Sequence, residues 1–321
     1  TRRMPSRNAE QQPPSGSEPR IDGLPPAALQ QLQAAARAIR DGAEAPARKA
    51  LDTTLELAPE HPEALRLYAI LHTRAQRQDE AQACLQQVLA QWPDYALAWS
   101  DLGGVQQARG DMEAAFASWR QACALAPAAP MPWFNLGRNL QLHGDTDAAI
   151  EALQQAHALA ADFLPALILL GDALVHAGRF DEADARYRAA LALHPACGDA
   201  WRGLANMKTR PLSDADREQL GIALRQPGIA PADRIAMGFA LGKVCEDQGR
   251  YEEAFHALNR ANAELREIRP WQASAFHGHA EALLEASRRL PPPIDAGLGR
   301  EVIFIVGLPG SGSALFEQML A

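Results

Sequence analysis

The sequence is poor in the residues that mark several large classes of protein. Its 321 residues include four cysteines, Cys84, Cys123, Cys197 and Cys245, and no two of them form a C-x-x-C pair. That spacing argues against a cysteine zinc site or a disulfide framework and fits a reducing compartment, so a cytoplasmic location is expected. No apolar run reaches the roughly 18 residues that span a bilayer. No basic-then-apolar segment opens the sequence either, so neither a membrane partner nor a secretory signal is expected. Lysine is scarce, with only Lys49, Lys208 and Lys243 among 31 basic residues, against 39 acidic ones, for a net charge of −8. Such a balance lacks the basic face that nucleic-acid binding needs, and no nucleic-acid partner is expected. Hydrophobic residues, at 47%, are plentiful enough to exclude wholesale disorder.

Catalytic signatures are missing from most of the chain. Nine histidines are scattered along it, none in an H-E-x-x-H pattern. His277 and His279, two apart on a helix, do not share a face. No metal ligand set, general acid–base pair or nucleophilic triad stands out before residue 300. Residues 1–27 are rich in Pro, Ser, Gln and Arg without a hydrophobic period, and a disordered arm is expected there.

What is present is a period. Trp99 and Trp133 are 34 residues apart, as are Leu102 and Leu136, Gly103 and Gly137, Gly110 and Gly144, Ala115 and Ala149, and Ala122 and Ala156. One period on stand Leu167, Leu170, Gly171, Gly178, Ala183 and Ala190, closed by Pro195; one period back stand Leu65, Tyr68, Ala69, Ala81, Leu85 and Pro93. This pattern resembles the tetratricopeptide repeat (TPR), W-x2-L-G-x2-Y followed by A, F, A and P. The resemblance implies an all-α, right-handed superhelical solenoid of about seven helix–turn–helix units. Small residues at Gly103, Gly137 and Gly171 let the two helices of a unit cross closely. Gly110, Gly144 and Gly178 end first helices, and Pro127 and Pro195 close second ones.

The register breaks after Trp201, where Pro211, Pro227 and Pro231 restrict helices to short pieces, and returns at Leu241, Gly242 and Gly249. The expected organisation is an array over 28–268 with an irregular repeat over 198–234 and a last one over 235–268. A capping helix and a Pro291–Pro293 linker follow over 269–293, then a different domain from 294. Stacked helix pairs form a concave groove. Counting from the Trp position places Arg66, Ser100, Phe134, Ile168, Arg202 and Phe239 in one groove row, and Ile70, Gly104, Arg138, Asp172, Asn206 and Lys243 in the next. Arg66, Phe134, Arg138, Asp172, Arg202, Asn206, Phe239 and Lys243 are the candidates for gripping an extended protein segment. The Lys/Asn set with which some TPR domains clamp a chain-terminal carboxylate is absent.

Residues 301–306, E-V-I-F-I-V, read as a buried strand, followed by a Gly-rich turn and a helix start, over 294–321. Backbone N–H groups in such a turn converge on an anion. The spacing of Gly307 and Gly312 fits a nucleoside-triphosphate loop, but Ser313 and Ala314 replace its Lys and hydroxyl residue. The row F-I-V-G-L-P-G-S-G-S-A-L-F-E-Q-M-L, Phe304 to Leu320, instead resembles the F-I-V-G-x-P-R-S-G-T-T-L-x-E-Q-x-L loop of sulfotransferases. Phe239 to Phe255, F-A-L-G-K-V-C-E-D-Q-G-R-Y-E-E-A-F, is similar to bacterial fusions of TPRs with a tyrosylprotein-sulfotransferase-like domain.

That resemblance implies the cofactor 3′-phosphoadenosine-5′-phosphosulfate (PAPS), held by Pro309, Gly310, Ser311, Gly312, Ser313 and Ala314. It implies sulfonyl transfer to a hydroxyl acceptor such as a protein tyrosine. Gly310 stands where the family has Arg, and Ala314 where it has Thr, so a cation and a hydroxyl donor are lost. One strand and one helical turn do not make an α/β domain, so these 321 residues alone are expected to be inactive. The alternative is a non-catalytic adaptor with a vestigial loop.

Overall fold

A computed structural model describes residues 18–207, 209–270 and 272–289. Among the described residues there are fifteen helices and no strand. The expected strand, loop and helix start over 294–321, with the Pro linker, lie outside the described residues, as do residues 1–17.

Five regular helical hairpins come first. They are α1 (Pro26–Arg40) with α2 (Glu44–Leu57), α3 (Pro62–Arg74) with α4 (Gln78–Gln91), α5 (Ala96–Ala108) with α6 (Met112–Leu125), α7 (Pro130–Leu142) with α8 (Thr146–Leu159), and α9 (Leu164–His176) with α10 (Phe180–Leu193). Each second helix also packs on the next first helix, and successive first helices touch one another, which makes a solenoid.

The hairpin turns are short because one motif closes and restarts the helix. Asp111 N–H reaches back to the Gln106 carbonyl, and Asp145 N–H to Leu140, around Gly110 and Gly144 at φ +83°. The same two aspartates then accept from Ala114 and Ala148 N–H and cap the next helix. Proline at the first or second position of α1, α3, α7 and α9 favours the opening of first helices, where its missing N–H costs nothing.

Close crossing within each hairpin is imposed by glycine. A Cβ added at Gly103 would lie 2.4 Å from the Trp119 indole nitrogen, and one at Gly137 2.7 Å from Leu153. Between hairpins the tryptophans act as ties. The indole N–H of Trp99 donates to Pro93 O at 2.8 Å, Trp133 to Pro127 O at 3.1 Å and Trp201 to Pro195 O at 2.9 Å. Each tie satisfies a carbonyl just beyond the end of a second helix. Trp133→Phe keeps the packing and removes the bond. We expect it to cost about 0.5–1.5 kcal/mol, seen as a lower thermal midpoint; an unchanged midpoint would show the tie to be ornamental.

The irregular region has a simple cause. Helix α11 (Gly198–Asn206) is only nine residues long, and Pro211 prevents an immediate restart. A short α12 (Asp214–Leu224) follows, opened by a reciprocal cap between Ser213 and Asp216. Helix α13 (Pro231–Asp247) then packs directly along α11, with Gly198 N–H donating to the Asp233 carboxylate at 2.9 Å. It begins at Pro231, four residues before the expected start at 235. Helix α14 (Tyr251–Ile268) crosses α13 closely at Gly242, where an added Cβ would meet Leu258 at 2.5 Å. The chain divides into two compact units between Leu265 and Arg266. The second contributes α15 (Ala273–Arg288), where Glu285 pairs with Arg288 and Arg289.

Residues 18–25 fall in the segment expected to be a disordered arm, yet Arg20 is anchored. Its guanidinium pairs with Asp94 at 2.6 Å and lies over the Tyr95 ring, and its backbone N–H donates to the Tyr95 hydroxyl. The compositional bias of the first residues hides one arginine with three such contacts.

Among the described residues the buried side chains form four separate clusters. One links α1 to α3, one α3 to α5, one α6 to α8, and the largest runs from α8 to α13.

Candidate functional site

The predicted groove residues stand on α3, α7, α9, α11 and α13, in different states. Arg66 is not available to a ligand. Its Nε and Nη2 donate to the Glu63 carboxylate at 2.7 Å, and its Nη1 donates to Asp101 at 2.6 Å. The Tyr95 hydroxyl donates to Glu63 as well, closing a buried network between α3 and α5. Burial pushes the Asp101 carboxyl up, against Arg66, which pulls it down. Asp172 is likewise engaged, accepting from the Tyr187 hydroxyl at 2.5 Å, and burial raises its pKa as well.

Phe134 is half-buried and packs edge-on against Phe163 with ring centres 5.0 Å apart. Arg202 pairs with Asp199 at 2.9 Å, and Lys243 pairs with Asp247 and Glu246. Phe239 is half-buried and Asn206 exposed. Arg138 is exposed and is in no ion pair among the described residues. The eight candidates therefore stand in different states. Arg66 and Asp172 are held in networks between helices, Arg202 and Lys243 in ion pairs along their own helices, and Arg138 is the one cation of the eight in no ion pair among the described residues.

Arg138 borders a cleft of about 410 Å³ between α3, α5 and α7. Its walls include Arg74, Gln107, Asn135 and Asp101. Asn135 donates to the Ser100 hydroxyl at 3.2 Å, joining neighbouring first helices. The residue row pointed at this cleft, but Arg74, Gln107 and Asn135 lay outside the counted positions. Their signal was their position one helical turn from Ile70, Gly104 or Arg138.

Three histidines outside the groove carry a pH consequence. His61, His72 and His157 each have a buried Nδ1 without a hydrogen-bond partner among the described residues. Burial holds all three imidazoles below their ordinary value of 6.5. Below pH 6.5 the unfolded chain thus binds more protons than the folded one, and stability falls as pH drops. The thermal midpoint is expected to be flat above pH 7 and to decline from 6.5 downward, less steeply in His61→Gln. Equal slopes for the two proteins would remove His61 from the cause.

Among the described residues no group of three or more His, Cys, Asp or Glu side chains is placed to hold a metal, and no helix is long and apolar enough to cross a membrane. Pro309, Gly310, Ser311, Gly312, Ser313 and Ala314 lie outside the described residues.

Comparison with known proteins agrees with the periodicity. Residues 45–81 and 74–130 match one tetratricopeptide-repeat family model, and residues 140–207 match another. An uncharacterized protein of Aquifex aeolicus (strain VF5) is 26% identical over 170 residues, 50% of this chain and 22% of that protein. The chain thus spans less than a quarter of the length of that relative. Among solved structures, a thermophilic TPR protein of Thermus thermophilus is 24% identical with a TM-score of 0.46, covering 53% of this chain and 92% of its own. YrrB, described as a TPR protein with an unusual peptide-binding site, is 18% identical with a TM-score of 0.41, covering 72% of this chain and 97% of its own.

Proposed function

We propose that this tetratricopeptide-repeat protein is a protein-interaction module that holds an extended polypeptide along the face of its first helices. The observation that carries the reading is the cleft between α3, α5 and α7, open to that face and bordered by an arginine in no ion pair among the described residues. Polar donors that the fold does not consume, on a rigid helical wall, suit a backbone or side chain arriving from outside. Selection of short random peptides on the 321-residue protein, followed by titration, tests it. Saturable binding that weakens when Arg138 or Gln107 is replaced is expected; failure to select any peptide would count against a peptide groove.

A second, more specific reading rests on the row Phe304 to Leu320. In it the array is the N-terminal protein-binding region of a sulfotransferase and delivers a bound polypeptide to the catalytic domain. Pro309 to Ala314 would hold PAPS, which supplies the sulfonyl group for a hydroxyl acceptor such as a tyrosine. The test is binding of adenosine 3′,5′-bisphosphate, the product left by that transfer, to the full-length protein with its α/β domain and to its Gly310→Arg variant. Regaining the guanidinium should tighten binding about tenfold or more. No binding to either protein leaves the adaptor reading.

A further inference from the structure

The groove row one turn below Arg66 reads Ile70, Gly104, Arg138, Asp172, Asn206 and Lys243. Gly104 alone in that row has no side chain. A Cβ built there meets nothing within 4 Å, whereas one at the adjacent Gly103 collides with Trp119. The two glycines therefore have opposite causes. Packing imposes the first, Gly103. Nothing in the fold imposes Gly104, although glycine inside a helix is destabilising relative to alanine. Its effect is a hollow in the groove wall, and the cleft sits there.

The charge around the hollow is one-sided. Among the described residues Arg138 is in no ion pair, and Arg74 donates to the Ile39 carbonyl rather than to a carboxylate. Asp101, the acid on the wall, is already held by Arg66. The cleft thus offers two guanidinium groups without counter-ions among the described residues, in a chain of net charge −8. Ile70 and Val105 give it an apolar floor beside the polar rim. A carboxylate on a short aliphatic stem matches both parts.

We propose that the hollow at Gly104 is a side-chain pocket that takes an aspartate or glutamate of an extended peptide partner. The pocket deepens the groove-binding reading and rests on it. Arg138 and Arg74 hold the carboxylate, and the missing side chain at 104 lets the peptide backbone run close to α5.

The experiment uses peptides selected from a random library on the 321-residue protein, each also made with its acidic residues changed to the amides. Affinities are measured on the unmodified protein, Gly104→Leu and Arg138→Gln. Selected peptides are expected to be enriched in Asp or Glu. Gly104→Leu fills the hollow and should weaken them about tenfold or more while the melting temperature holds or rises. Arg138→Gln, on an exposed side chain that the fold does not use, should weaken the acidic peptides about tenfold and leave the amide forms unchanged. Peptides without acidic preference, or acidic peptides that bind both variants as well as the unmodified protein, overturn the pocket and leave groove binding standing. If no peptide is selected at all, the groove reading and the pocket fall together.

Discussion

Arg66→Met is expected to lower the stability of the array by about 3–5 kcal/mol, the cost of leaving buried charges without their partner. The Arg66 side chain is 11% exposed, Glu63 5% and Asp101 30%, so Glu63 carries most of the cost. Removing the guanidinium deletes three charge-assisted hydrogen bonds and strands two carboxylates between α3 and α5. The Tyr95 hydroxyl remains for Glu63, and nothing in the network replaces Arg66 for Asp101. Burial already raises the Asp101 pKa, and the variant loses the opposing charge. A group with a raised folded pKa regains stability as pH falls through that value. The gap between variant and unmodified protein should therefore narrow towards acid. Chemical denaturation at pH 7 and pH 5 reads both effects. A loss under about 1 kcal/mol at pH 7, the range of exposed ion pairs, would mean that water reaches the network.

Gly171→Ala is the second large effect, and its direction opposes helix propensity. Alanine gains about 1 kcal/mol over glycine in a helix interior, yet overpacking typically costs about 1–3 kcal/mol and sometimes more. Here the added Cβ would lie 2.6 Å from Tyr187 Cε1 and 2.8 Å from Cζ. The ring has nowhere to go. Gly203 of α11 also lies against the ring, where an added Cβ would be 2.4 Å from Cζ, and the tyrosine hydroxyl is tied to Asp172. Either α9 moves away from α10 or the tyrosine leaves its pocket. We expect a net loss of about 1–3 kcal/mol and a drop in helical signal at a lower temperature. Gly104→Ala, in open space, is the control, with an expected gain of about 1 kcal/mol. Equal effects at the two positions would show that the crossing at Gly171 is looser than its distances say.

These two sites mark where sequence reasoning succeeds and where it stops. The helix crossings were readable because a close approach leaves few residue choices, so Gly103, Gly137 and Gly171 recur at one spacing. Position along a helix fixes direction, and Ile70, Ser100, Gly104 and Arg138 of the counted rows do border one cleft. Their chemistry was not. Arg66 finds Asp101 35 residues away, in the next first helix, and a spacing rule cannot tell a paired cation from a free one. The irregular repeat was visible in its prolines, whereas the direct packing of α13 on α11 shows only once both helices are placed. Gly104 was counted in its row, but a hollow is visible only once its neighbours are placed.

The hairpin-by-hairpin packing sets how the array yields. Contacts confined to neighbours make stability a sum of local terms, and segments open independently at the weaker seams. The weaker seams lie between hairpins, as between α6 and α7, where packing is sparser than inside the α5–α6 hairpin. The cleft straddles that seam, bordered by Val105 and Trp119 on one side and by Asn135 and Asn139 on the other. A ligand seated there is a splint across a joint. Its binding energy would appear as a steeper unfolding transition, with slower hydrogen exchange on both sides of the seam, because two segments that opened separately would have to open together.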